Sequence, residues 1–151
     1  MAYEIRVEQV EPQTIAAVRR RATPPQLSTV VPAACGEVWN FVRAAGVPNP
    51  GRHVAVYRHG GDGQLDVEIG VEVGSPFTGD GTFSCSATAA GMVATTVHIG
   101  PYSRLGEAHE AIVRWCRDHH RNPTGLNWEI YGHWDDDPEK LRTDVSYLLD
   151  A

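Results

Sequence analysis

The sequence predicts an α+β fold in which a strand–helix–strand–strand (βαββ) module occurs twice. Its strands are expected to form one long curved antiparallel sheet with two helices on one face. Three observations predict it: two stretches of helical periodicity among alternating ones, the same order of elements in each half, and a fixed spacing between matching segments.

Residues 3–10, YEIRVEQV, and 14–21, TIAAVRRR, alternate and flank Glu11, Pro12 and Gln13, the pattern of a hairpin. Over residues 28–46, Val31, Cys35, Val38, Phe41, Val42 and Ala45 recur at steps of three and four, one face of a helix. Ser28 or Thr29 can cap its start, Pro32 suits its first turn, and Gly46 can end it. Residues 53–59 and 65–73 alternate as strands, 82–90 adds an extra strand, and 92–99 follows. A second helix over 103–120 carries Leu105, Ala108, Ile112, Trp115 and Cys116 as its stripe, with Ser103 as cap and the polar RNPTG closing it. Residues 127–134 and 142–149 complete the strands.

The spacing supports duplication. EVWNFV at 37–42 aligns with AIVRWC at 111–116, and VAVY at 54–57 with WEIY at 128–131, both at an offset of 74. DVEIGV at 66–71 matches DVSYLL at 144–149 at an offset of 78. Pseudo-repeats at about 13–73 and 91–149 within a single domain are the expectation.

A chain of 151 residues fits one domain, and 42% hydrophobic with 21% charged residues is the composition of a globular protein rather than a disordered one. No apolar run approaches the ~20 residues that span a bilayer, and MAYEIRVEQVEP lacks a basic stretch followed by an apolar one. The expected location is cytoplasmic, with no membrane partner. Cys35, Cys85 and Cys116 form no CxxC pair and suggest neither a disulfide framework nor zinc; they read as small buried apolar residues. A net charge of -6 argues against a nucleic-acid partner, and Arg19, Arg20 and Arg21 read as a solvated strand end.

The candidate chemistry centres on Glu129, set between Trp128 and Ile130 with Tyr131, His133 and Trp134 following. Alternation expects Trp128 and Ile130 against the helices, and Glu129 and Tyr131 on the opposite, concave side. The same parity puts Val67, Ile69, Val71 and Val73 against the helices, with Glu68 and Glu72 opposite. A carboxylate near Tyr131, Trp134 and the matching Tyr57 calls for a partner, because unpaired burial of charge is costly. A ligand with delocalised positive charge answers both features, its charge on the acid and its flat body on the rings, at about 0.5–2 kcal/mol per cation–π contact.

Other constellations fall short. HEAIV at 109–113 lacks the second histidine of a zinc-protease helix, and DDDPE at 135–139 lacks the glycine and closing glutamate of a calcium loop. The glycines of GGDGQ and GDGTF do not join a strand to a helix, and His119 and His120 diverge as neighbours at a helix end. No metal and no cofactor is expected.

The stretch VHIGPYSRLGEAHEAIVRWCRDH at 97–119, followed by GLNWEIYGHWDDDPEKLRTDVSYLL at 125–149, resembles the C-terminal half of the GyrI-like small-molecule-binding domain. Its most specific pieces are GPY with LGEAHEAI, the WEIY strand, an acidic turn containing DP, and RTDVSYLL. In the first half, DVEIGVEV resembles the family's E-x-G-V-x-V strand. The resemblance runs from about Tyr3 to Leu149 and implies a duplicated βαββ fold with a ligand cleft between the halves. The family includes effector domains of AraC-type and MerR-type regulators, stand-alone multidrug-binding proteins, a gyrase inhibitor, and hydrolases of cyclopropane-containing DNA-alkylating natural products. Its central acid falls on Glu129 and the following aromatic on Tyr131; in multidrug-binding members that acid meets the ligand's charge. His98 occupies the histidine of VHIGPY, with Val97 in place of the usual tyrosine. The sequence opens on the first strand, so a fused helix-turn-helix regulator is not expected.

The expected function is a stand-alone binding protein for lipophilic, often cationic aromatic compounds. Glu129 would be the charge partner, and Tyr131, Tyr57, Trp39, Phe77, Phe83, Trp134 and Tyr147 the walls, with Glu68 and His98 further candidates. Trp39 and Tyr147 read equally well as core residues. One alternative is hydrolysis of cyclopropanoid or other electrophilic natural products, with Glu129 acting on water and Tyr131 donating to the leaving oxygen. The other is a protein-interaction module of the gyrase-inhibitor kind.

Overall fold

The computed structural model describes residues 3–59 and 62–150. In chain order the strands and α-helices are β1 (Arg6–Val10), β2 (Thr14–Ala22), α1 (Leu27–Ala44), β3 (His53–His59), β4 (Leu65–Glu72), β5 (Ser84–Ala87), β6 (Gly91–Ile99), α2 (Leu105–Asp118), β7 (Pro123–Tyr131) and β8 (Arg142–Leu149). The class is α+β with antiparallel strands. Two compact units divide the chain: one runs from Pro12 to Ala89, the other joins the segment ending at Glu11 to the chain from Ala90 onward. Each contains one strand–helix–strand–strand module and one added edge strand.

In the 12–89 unit the strand order is β3-β4-β2-β5. The helix α1 packs on β2 and β4 and buries Val31, Ala34, Val38 and Val42. Arg20 on β2 pairs with Glu37 of α1 at 2.8 Å, and His53 on β3 meets the Trp39 ring at 5.9 Å. Arg20 lies opposite Val67, and His53 opposite Val71. The helix side of this sheet therefore carries Val67, Ile69 and Val71, all fully buried, as the alternation predicts. Gly46 ends α1 in the left-handed region at φ +66°, the geometry glycine adopts without a Cβ clash. Gly70 is required for another reason: a Cβ there would come 2.5 Å from the Ala16 carbonyl oxygen on β2.

In the other unit the order is β1-β6-β8-β7. The helix α2 buries Leu105, Ala108, Ile112 and Cys116, each 74 positions after its counterpart in α1. These residues form one core with Ala94, Val145 and Leu149, edged by Tyr3, Ile5, Val7, Trp115, Tyr131 and Tyr147. Complete burial of a side chain the size of Ile112 contributes about 1.5–3 kcal/mol. No helix among the described residues is long and apolar enough to cross a membrane.

Several expectations are corrected here. The first two strands are not a hairpin: β1 pairs with β6, while β2 pairs with β4 and β5. The connection Glu11–Pro12–Gln13 has no glycine for a tight turn, and it carries the chain from one unit into the other. Neither Ser28 nor Ser103 caps its helix; a 3₁₀ turn leads into each, Pro24–Gln26 and Tyr102–Arg104, and satisfies part of the first turn instead. The extra strand is only four residues long, and its Cys85 is exposed, whereas Cys116 is buried. The closing strands correspond at an offset of 76 in register: Val145 lies opposite Glu129 as Ile69 lies opposite Ala55.

Candidate functional site

Glu129 lies near the end of β7, is only 6% exposed, and points toward α2. There it meets His109, whose place in the helix lies one residue from Ala108 and one turn from Ile112, on the edge of the apolar stripe. The His109 Nε2 lies 2.6 Å from Glu129 Oε2, and its Nδ1 lies 2.6 Å from the Tyr147 hydroxyl on β8. The Tyr131 hydroxyl, two residues along β7 and hence on the same face, donates to Glu129 Oε1 at 2.5 Å. Tyr102, in the turn before α2, stands edge-on to Tyr131 at 5.8 Å.

The result is a continuous chain of polar groups, Tyr147–His109–Glu129–Tyr131, with both carboxylate oxygens hydrogen-bonded. Burial, then the Glu129 charge, then Cys116 push the Tyr147 hydroxyl well above the usual phenol range. It therefore keeps its proton and can donate to Nδ1. In the tautomer that satisfies all three bonds, the imidazole proton sits on Nε2 and is donated to the carboxylate. The His109 side chain remains 22% exposed, so the chain is accessible at its centre.

This geometry reverses the expected side for Glu129 and Tyr131, which face the helix rather than the surface away from it. The alternation could not decide, because both sides are covered here: Trp128 is 3% exposed, as buried as the acid next to it. The side away from α2 is also not purely apolar. Trp128 lies opposite Ser146, whose hydroxyl is 3.0 Å from that of Thr95, and Thr95 donates to the Val145 carbonyl. On the helix side the acid meets His109 of α2, a residue whose HEAIV context suggests a zinc ligand only to lack the second histidine. A titratable side chain on the edge of an apolar helical stripe was the signal available for it.

Of the other predicted residues, Tyr147 joins the polar chain. His98, at the end of β6, is occupied in holding the fold: Tyr3 donates to its Nδ1 at 2.9 Å, and its Nε2 donates to the Pro101 carbonyl at 3.1 Å. Trp134 is 73% exposed, with its indole N–H donating to Asp136. Four aromatics and one acid belong to the 12–89 unit. Tyr57 is buried on β3 opposite Val67, and Trp39 rests on His53. Phe83 stacks on Phe41 at 4.7 Å, and Phe77 meets the same ring at 5.8 Å. Glu68 faces away from α1, bonded to Arg19 and Ser86. Arg20 and Arg21 of the basic strand end are likewise ion-paired, with Glu37 and with Asp62 and Asp66. Among the described residues, no group of three or more His, Cys, Asp or Glu side chains is placed to hold a metal.

Comparison with solved structures places this architecture. The C-terminal domain of EcmrR superposes with a TM-score of 0.79 at 17% identity, over 99% of each chain. SAV2435 bound to tetraphenylphosphonium gives 0.71 at 12% identity, over 100% of this chain and 95% of that one. A hydrolase from Listeria innocua gives 0.60 at 11% identity, over 97% and 92%. At these identities the likeness concerns the fold. No curated protein matches the sequence. The model of the GyrI-like small molecule binding domain matches residues 3–148, and the chain belongs to that family.

Proposed function

We propose that this small-molecule-binding domain takes lipophilic, often cationic aromatic compounds, with Glu129 as the charge partner. The observation that carries the reading is a buried carboxylate aligned by Tyr131 and His109 and bordered by the rings of Tyr131, Tyr102 and Tyr147. In such surroundings a delocalised cation gains both Coulomb attraction and ring contact while needing no directed hydrogen bond. The relative SAV2435 is bound to tetraphenylphosphonium, a cation of this type. The test is a fluorescence-anisotropy titration with a lipophilic cationic dye. Removing the charge in Glu129→Gln should weaken binding by at least about tenfold, roughly 1.4 kcal/mol. Equal affinity in the variant would refute the role of the acid.

A second reading, hydrolysis of an electrophilic natural product, is favoured by the Glu129–His109 contact, a carboxylate–imidazole pair of the kind that relays protons. Glu129 would deprotonate water, and the Tyr131 hydroxyl would turn to the leaving oxygen. Mass spectrometry of a bound cyclopropanoid over hours separates the readings. Conversion by the wild type but not by Glu129→Gln, with binding retained, establishes hydrolysis; an unchanged compound eliminates it.

A further inference from the structure

We propose that His109 is the site's own exchangeable cation, so that a cationic ligand and a proton on His109 compete for Glu129. The inference rests on the reading of Glu129 as charge partner given above. In the tautomer with the ring proton on Nε2, Tyr147 donates to Nδ1 and the imidazole gives the carboxylate a hydrogen bond at 2.6 Å rather than a full charge. A proton added at Nδ1 needs no movement of heavy atoms: the Tyr147 hydroxyl rotates from donor to acceptor. The imidazolium then forms a full ion pair with Glu129 at the same 2.6 Å. The attraction for a second cation falls accordingly, because the pair is neutral as a whole. Entry of a cationic ligand reverses the step: the Nδ1 proton leaves to solvent and Tyr147 turns back.

The groups facing His109 support this assignment. From β7 come Glu129 and Tyr131, and from β8 comes Tyr147. On α2 itself, Glu110, Arg114 and Arg117 border the same surface depression, and Cys116 lies behind Tyr147. Ahead of α2, Tyr102 stands against Tyr131, and Arg104 is paired with Glu139. Of these, Glu129 and Tyr147 are the ones that bond the ring, so the proton on Nδ1 is felt first by the acid that would hold the ligand.

The test is the dissociation constant of tetraphenylphosphonium, which carries no titratable group, measured by calorimetry between about pH 5 and about pH 8, the range in which histidines change charge. Full competition weakens binding by up to about tenfold per pH unit on the acid side and releases close to one proton per cation bound, counted from heats in two buffers. H109Q, which can donate to Glu129 but cannot carry the charge, should bind with an affinity constant to within about threefold across the range. A wild-type affinity independent of pH, no proton released at the acid end, or an acid loss that persists in H109Q would each overturn the proposal. The proton count uses the unmodified protein and does not depend on the variant folding. Failure of the underlying reading looks different: no binding at about pH 8, or equal binding by E129Q at that pH, in the range where histidines are neutral.

Discussion

The two units place different chemistry on the same scaffold. Where the second has His109, the first has Cys35, and where the second has Glu129, the first has Ala55; by pairing register, Val71 stands where Tyr147 does. Of the four groups in the polar chain, Tyr131 alone has an aromatic counterpart, Tyr57. Burial pushes the Cys35 thiol up to about 11, so it bears no charge at neutral pH. The first unit thus carries small or apolar residues at three of the four positions that hold the polar chain in the second. In the second unit that chain is an addition to the packing, and such additions are commonly functional because they contribute little net stability.

The comparison breaks most forcefully at the shared apolar positions. Ile112→Ala in the second unit and Ile69→Ala in the first should each cost about 2–5 kcal/mol, read by urea unfolding. Coincident single transitions in both variants mean that the units unfold as one; a separate early transition in either means that they do not. Next comes a conversion of one unit into the pattern of the other. The double variant His109→Cys/Glu129→Ala should lose about a hundredfold in affinity for a lipophilic cation, near 2.7 kcal/mol, yet unfold within about 1 kcal/mol of the wild type. The single variant Glu129→Ala should be less stable than the double by about 1–3 kcal/mol, since it strands the imidazole donor.

Gly70→Ala tests a position specific to the first unit, where the added methyl meets the Ala16 carbonyl; it should cost about 1–3 kcal/mol with cation binding intact. The smallest effect is that of Tyr147→Phe, about 1 kcal/mol at neutral pH for the lost hydrogen bond. Its signature lies in the pH profile. The Tyr147 hydroxyl titrates higher in the folded state than its ordinary 10.0, so its contribution is complete below that value and is lost as pH rises beyond it. The phenylalanine variant should therefore show a shallower alkaline decline in stability, measured by thermal melting across that range.

Much of this was legible in the sequence, because it depends on short-range order. The buried stripes of α1 and α2, the strands 53–59 and 142–149, and the 74-residue spacing all follow from periodicities set by backbone geometry. So does the prominence of Glu129, an acid between Trp128 and Ile130, and the family motifs around it. Tertiary structure alone decided three further points. The partners of β1 and β2 are strands more than forty residues away along the chain, and no local pattern encodes that pairing. The side taken by Glu129 required knowing that Trp128 is buried too, since a two-residue period names two faces but not which of them receives the helix. The role of His109 depends on atoms of three elements meeting within 2.6 Å, and such convergence is a property of packing rather than of composition.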